Sequence, residues 1–409
     1  MATNAPQWVK PRNLRVARER LGLTPKEVAE QSALLEKEKH YALIEADRLV
    51  SWESGDDEPA LEHLETLSEI YVRPVGHFFL PALPSEESRL SYRGLSPDKT
   101  RETKPALQQT LRRFEELAEW TASLIGDLGV GWTSTIQAAG QVRVDGDFEE
   151  LIEHERARLG YTQSIRHQWS TTEAAFQWWR RAVESQGIFC FQMKLDARDV
   201  RGASAWIADQ YPFILVNHED DEAAAGRLFT LLHEYGHLLA HERGVVCDFR
   251  GATRGPNPEP WANRFAARML LSHRELVSQL DRLGLHDRRE RWGDEALDGM
   301  REPFHVSRDV IAIMLEELAL APDGFYRGKR AMWEKRKPRK GWGKGGGSIS
   351  TNVKALRRLG FSLAHVLSRP DREESLPWSD LAYVLDMKVE KADEFLRWVR
   401  DEGDLGNAV

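Results

Sequence analysis

The segment Leu228-Phe-Thr-Leu-Leu-His-Glu-Tyr-Gly-His-Leu-Leu-Ala-His241 sets two histidines four residues apart in an otherwise apolar run. On a helix, His233 and His237 fall on one face, one turn apart, where two ring nitrogens can grip one metal ion. Glu234 then lies beside that ion, where a carboxylate can take a proton from water. Phe229, Leu231, Leu232, Leu238 and Leu239 cover much of the remaining surface, so the helix is expected to be buried. Two histidines and a glutamate on a buried helix need partners, and a metal ion is the simplest one. The five-residue pattern also arises by chance in unrelated chains, so a third ligand has to decide.

That ligand is sought in Glu259-Pro-Trp-Ala-Asn263-Arg-Phe-Ala-Ala-Arg-Met-Leu-Leu271. Glu259 heads a second apolar-periodic helix and Asn263 follows one turn later. Catalytic zinc takes three protein ligands and keeps a fourth position open. Glu259 fits as the third ligand, with Asn263 hydrogen-bonding a ligand histidine. The competing reading of Glu259 is a helix N-terminal carboxylate favoured by the helix dipole.

These two blocks resemble the ImmA/IrrE family of metallopeptidases. The resemblance rests on Thr230 to His241 and on Glu259-x-x-x-Asn263-x-Phe265-Ala-Ala-x-x-Leu270. The stretches Gly187-Ile-Phe-Cys-Phe, Arg201-Gly-Ala-Ser and Pro212-Phe-Ile-Leu-Val-Asn217 also match the strands that precede the metal helix in that family. The resemblance implies a zinc-dependent endopeptidase of the gluzincin type. It carries over His233, His237 and Glu259 as zinc ligands and Glu234 as general base. Many members close the second motif with Met-Pro where this chain has Leu271-Ser272. For the tetrahedral oxyanion, helical geometry turns Tyr235 away from the ligand face. His241, one turn beyond His237, reads either as a donor to the site or as a partly exposed histidine. His218 and His305 are further candidates without a geometric argument.

With 409 residues the chain has room for two or three domains, each with its own core. A formal net charge of -8 argues against a nucleic-acid coat but leaves room for a local basic face. Two cysteines, Cys190 and Cys247, do not make a disulfide framework, so a reducing cytoplasm is the expected setting. No apolar run reaches membrane-spanning length, and no membrane association is expected. Trp169, Trp178 and Trp179 cluster on a predicted helix and are read as core or domain-interface residues.

The N-terminal stretch is predicted helical. Leu14 to Leu21 forms a short basic amphipathic helix. Thr24 then caps a second helix, with Pro25 in its first position and Glu27 closing a capping box. Together with Trp52-Glu-Ser-Gly55, Pro59 and Leu61 to Ile70, this resembles an Xre-type helix-turn-helix. Arg73 to Pro81 resembles the end of Xre domains joined to this peptidase family. The spacing from Ala29 to Glu53 is longer than in the usual module. The extra residues fall between Ala33 and Leu49, around the recognition helix, and bring Glu36, Glu38, Glu45 and Asp47. Acids at that face oppose phosphate contacts, which supply most DNA affinity. Operator DNA therefore stands beside dimerisation or a protein partner as the role of this region.

The expected fold class is α+β and mostly helical. The domains are set at 8–83 (Xre-like helix-turn-helix), 84–146 (linker and long helix), 147–322 (zinc peptidase with a small sheet), 323–350 (basic Gly-rich linker) and 351–409 (helical C-terminal tail). From Arg327 to Lys344 there are nine lysines or arginines against one acid, with Trp333 and Trp342 interleaved. This segment reads equally as a holder of nucleic acid or of an acidic partner, and as a solvated linker. The leading functional expectation is a cytoplasmic zinc endopeptidase cleaving a regulatory protein, such as a repressor of stress, mobile-element or toxin genes. The alternative is a transcriptional regulator or antitoxin whose metal domain binds or senses a toxin or other partner without cutting it. A homodimer is compatible with either. A purely structural zinc site is disfavoured, because such sites prefer four ligands, often cysteines.

Overall fold

The computed structural model describes residues 8–73, 75–80, 105–129, 131–138, 148–195, 200–218, 223–240, 245–248, 259–285, 292–334, 350–369 and 377–401. Its contacts divide the chain into two compact units. The first is built on residues up to Ser88 with Arg101–Glu116, and the second runs from Leu117 onward.

The first unit contains α1 (Pro11–Arg20), α2 (Pro25–Lys39), α3 (Ala46–Ser54) and α4 (Leu61–Tyr71), followed by a 3-10 turn at Val75–Phe79. The expected capping box is present. Thr24 accepts from the Glu27 backbone N–H, while the Glu27 carboxylate accepts from Thr24 N at 2.7 Å, and Pro25 opens the helix. Leu14, Leu21, Val28, Leu49, Trp52, Leu67 and Phe78 form the core. Arg18 ties α1 to α3 through a two-pronged pair with Glu53 at 2.8 and 2.7 Å. The extra residues between Ala33 and Leu49 lengthen α2 to Lys39 and form the connection before α3. Ser32 Oγ closes that connection by accepting from Ile44 N at 3.0 Å. Glu45, Asp47, Arg48 and Val50 are exposed at the start and outer face of α3. The long helix expected within 84–146 is α5 (Pro105–Asp127), whose residues up to Glu116 belong to the first unit.

In the second unit, α6 (Phe148–Arg158) and α7 (Thr172–Glu184) precede β1 (Phe189–Met193), β2 (Val200–Ile207) and β3 (Tyr211–Asn217). Then come α8 (Ala223–Leu239), β4 (Val245–Asp248), α9 (Glu259–Leu270), α10 (His273–Leu283), α11 (Asp294–Arg301), α12 (Arg308–Glu317) and α13 (Phe325–Glu334). The C-terminal part adds α14 (Thr351–Ser368), α15 (Trp378–Leu385) and α16 (Val389–Asp401). The sheet order is β1-β3-β2-β4, with β1 parallel to β3 and the other pairs antiparallel. Ala208 and Asp209 both take positive φ between β2 and β3, the backbone that a tight hairpin turn requires. Every residue of β2 is buried, so both its faces are covered. Helix α8 packs on β2 and β3, and α14 packs on β1. The three tryptophans join this core, with Trp178 and Trp179 edge to face at 5.2 Å and Tyr161 stacked on Trp179 at 5.0 Å.

Helix α14 is broken at Gly360, whose φ of 82° lies in the left-handed region. A Cβ there would collide with Glu184 Oε1 and the Cys190 carbonyl. The break brings α14 onto a buried Arg180–Glu184 pair. Arg180 donates to the Arg357 carbonyl at 2.7 Å and to the Cys190 carbonyl, and Glu184 accepts from Phe361 N at 3.1 and 3.2 Å.

Candidate metal centre

Helix α8 carries His233, Glu234 and His237, each 0% exposed, and Glu259 at the start of α9 is 8% exposed. The helix is amphipathic in an unusual sense, being apolar on most sides with one polar stripe aimed into the protein. Tyr235 lies off that stripe, as expected, and anchors the helix elsewhere. Its hydroxyl donates to Glu155 Oε2 at 2.7 Å and accepts from Arg158 Nη2 at 2.7 Å, both on α6. Gly236 lets α9 approach, since a Cβ there would lie 3.0 Å from Phe265 Cδ1.

The Nε2 atoms of His233 and His237 are 3.0 Å apart. Glu259 Oε2 lies 3.3 Å from His233 Nε2, and Glu259 Oε1 lies 3.5 Å from His237 Nε2. Ligand atoms around tetrahedral zinc, at bond lengths of 2.0–2.2 Å, lie about 3.4 Å apart. The triangle in the protein has that size, and among the described residues these three form the one group able to hold a metal ion. Burial lowers the pKa of His233 and so favours its neutral, ligating form, against the opposing pull of Glu259. For Glu259, burial pushes the carboxyl up, but hydrogen bonds and charge from His233 and His237 outweigh it and hold it well below the carboxylate range. A divalent cation selects the neutral form of His233 and takes over from the imidazoles in holding Glu259 ionised.

Asn263, one turn after Glu259, lies beside the His233 ring and weakly opposes the lowering of its pKa. Its Oδ1 is buried and lies outside full hydrogen-bond geometry. Glu234 Oε1 rests against Gly202 of β2. A Cβ at that position would come within 2.8 Å of it, 2.6 Å of Thr230 Cγ2 and 2.9 Å of the Leu215 carbonyl. Gly202 is thus a site residue that motif reading did not single out, although a glycine inside a strand signals close approach of another element.

Of the remaining sequence candidates, His218 and His305 lie outside this cluster. His241 lies outside the described residues. His218 is exposed just after β3. His305 adopts a left-handed backbone after a 3-10 turn and its Nδ1 is 3.4 Å from Thr172 Oγ1. Part of the basic segment is engaged in the fold, since Lys329 pairs with Asp294 at 3.0 Å and Arg330 with Asp309 at 3.1 Å. Residues 335–349 of that stretch lie outside the described residues.

A buried His-His-Glu cluster on two packed helices, the first of them lying on a small sheet, is the frame of a metal-dependent hydrolase. Residues 183–316 match the Peptidase_M78 family model, the IrrE N-terminal-like domain. The match spans β1 to α12 and contains the whole cluster, and it supports a metallopeptidase with a protease-like function. No curated protein and no solved structure matches the chain. No helix among the described residues is long and apolar enough to cross a membrane.

Proposed function

We propose that the second unit is a zinc-dependent endopeptidase of the gluzincin type. The reading is carried by the buried triangle of His233, His237 and Glu259 with Glu234 on the same helix stripe. The donor set, two imidazoles and one carboxylate, suits zinc. Bound there, zinc supplies Lewis acidity that makes water a nucleophile near neutral pH and polarises a carbonyl. The Glu234 carboxylate takes a proton from the attacking water and returns it to the nitrogen of the leaving amine. Asn263, one turn beyond Glu259, would support the His233 ring from beside it. Gly202 packs against the far side of the Glu234 carboxylate.

The proposed substrate is a regulatory protein, such as a repressor controlling stress, mobile-element or toxin genes, in a reducing cytoplasm that keeps the buried Cys190 a free thiol. For the helix-turn-helix-like first unit, the exposed Glu45, Asp47 and Val50 around α3 favour a protein partner or a second copy over operator DNA. This also keeps alive the second reading, an antitoxin or regulator that binds its partner through the metal unit without cutting it. The two are separated by a pulldown with Glu234→Gln from the native host, followed by incubation of each captured protein with zinc-loaded wild type. A captured regulator that wild type cuts supports the peptidase. A captured toxin or DNA site left intact by wild type overturns it.

A further inference from the structure

Gly202 can lie against the Glu234 carboxylate because it lacks a Cβ, and the same lack leaves its backbone the widest choice of conformations. A base resting on such a residue needs the strand fixed from elsewhere. The ladders do little here. β2 and β4 pair Val200 with Asp248 and Gly202 with Cys247, so two steps on β2 face one on β4 and Arg201 is the extra residue. On the other side, the register with β3 begins at Gly202. Upstream of it, the Asn217 side chain donates to the Val200 carbonyl at 3.4 Å. A bulge interrupts the alternation of faces along a strand and re-aims a side chain, here that of Arg201.

Arg201 is buried and reaches α12, where its Nη1 lies 4.0 Å from Asp309 Oδ2. The other oxygen of Asp309 accepts from Arg330 of α13 at 3.1 Å, and both of these residues are buried too. Burial pushes the Asp309 carboxyl up, but the charges of Arg330 and Arg201 outweigh it and hold the group below its ordinary value. Helix α8 packs on β2 and on α9, α9 packs on α12, and α12 on α13. Arg201 and Gly202 are neighbours in the chain, yet both meet this one series of helices. Gly202 meets it at Glu234 and Arg201 meets it at Asp309.

We propose that Arg201 is a positioning residue for the general base: its ion pair with Asp309 fixes the bulge of β2, and the fixed bulge keeps Gly202 where the Glu234 carboxylate rests in the orientation that takes a proton from water. The inference rests on the peptidase reading and deepens it. Through Asp309 it also ties the base to Arg330, on a helix beyond the family-matched residues. Arg201 itself transfers no proton and touches no reacting atom. Its leverage is geometric, since misplacing a reacting group by about 1 Å costs about 10²-fold in rate.

The test uses zinc-loaded full-length protein as wild type, Arg201→Met, Arg201→Lys, Glu234→Gln and the Arg201→Met, Glu234→Gln double variant. Methionine keeps much of the aliphatic stem, and Asp309 retains Arg330, so the fold should survive. Zinc content, melting temperature and amide hydrogen exchange over residues 200–207 are measured first. Next come kcat and KM on a fluorogenic peptide that wild type cuts, chosen from a mixed library. Arg201→Met should keep zinc and melting, exchange faster along β2, and lower kcat by about 10²-fold with KM little changed. Arg201→Lys, which keeps the charge, should recover most of the loss. In the Glu234→Gln background, Arg201→Met should slow cleavage no further, because the group it positions is already gone. Wild-type kcat in Arg201→Met overturns the assignment and leaves the peptidase reading intact. So does a further fall of about 10²-fold in the double variant, which would mean that Arg201 acts by another route. A raised KM at unchanged kcat overturns it in favour of substrate binding. Loss of zinc or early melting in both Arg201 variants overturns it in favour of a purely structural pair. A wild type that holds zinc yet cuts no peptide overturns the peptidase reading, and this inference with it.

Discussion

Two groups of buried charged side chains flank the same sheet, and they solve burial differently. Arg180 and Glu184 lie 3.6 Å apart, with both Arg180 Nη atoms donating to backbone carbonyls and the Glu184 carboxyl accepting from the Phe361 N–H. That cluster draws its partners from within the chain. His233, His237 and Glu259 instead turn their ligand atoms toward one another, with both histidine nitrogens and both carboxylate oxygens meeting within 3.5 Å. Convergent acceptors are costly in a low-dielectric interior unless a cation joins them. A self-neutralised cluster builds the fold, and a cluster that needs an outside cation marks a site.

The sharpest way to break this contrast is to remove one member from each side. His237→Ala should abolish zinc binding and with it all peptide cleavage, and it should erase the melting shift that a chelator produces in wild type. Ligand-linked stabilisation of about 3 kcal/mol at 100-fold excess over Kd sets the size of that shift. Elemental analysis showing wild-type zinc would sink the ligand assignment. Glu234→Gln separates chemistry from binding. It should retain zinc and lower kcat by about 10²–10⁴-fold, since the base alone is lost. Full activity of that variant would refute the role.

On the other side, Glu184→Ala leaves the Arg180 charge buried without its carboxylate. Urea unfolding should show a loss of about 3–5 kcal/mol, while zinc content at low denaturant stays at the wild-type value. Replacing both residues by methionine should recover much of that loss. If Glu184→Ala instead released zinc from the folded protein, the two clusters would not be separable.

Much of the metal site could be read from the chain because it is local. The four-residue spacing of His233 and His237 is a helix property, and Glu259 lies where its helix begins, as its apolar period indicated. Thr24, Pro25 and Glu27 announced α2 for the same reason. What the chain did not disclose depends on contacts between distant segments. Arg180 and Arg357 are 177 positions apart, and nothing in either neighbourhood points to the other. Arg330 belongs to a stretch that reads as a basic linker, and its pairing with Asp309 at 3.1 Å follows from the packing of α13 on α12. β4 is four residues long, too short for a period to show. The first unit illustrates an intermediate case. Its core positions follow helical spacing, but the added length was absorbed by α2 as well as by the connection, a choice that Ser32 bonding to Ile44 settles across 12 positions.

Gly202→Ala probes the join between sheet and base. A methyl there meets the Leu215 carbonyl at 2.9 Å as well as Thr230 and Glu234, and backbone cannot step aside as a side chain can. The expected cost is about 1–3 kcal/mol, with kcat reduced and zinc retained. Reduced zinc with normal kcat per bound ion would show that the strand supports the ligands and not the base.

The smallest effect is a pH dependence that belongs to the complete cluster alone. Burial raises the Glu184 carboxyl from 4.5 to about 7, against the pull of Arg180 and of the Phe361 N–H. A carboxyl raised in the folded state binds its proton more tightly there than when unfolded. Its contribution is therefore fully present below the unfolded value and is lost as pH rises through about 7. Between pH 5 and pH 8 the change is about 2 kcal/mol, set by a shift of 1.36 kcal/mol per unit. Other carboxylates titrate over part of that range, so the quantity to measure is a difference. Unfolding free energies of wild type and Glu184→Gln are compared at pH 5, 6, 7 and 8. Wild type should lose stability relative to the variant as pH rises, because glutamine stays neutral throughout. Parallel curves would mean that Glu184 does not titrate in this window, and that Arg180 keeps it ionised in the folded protein across the whole range.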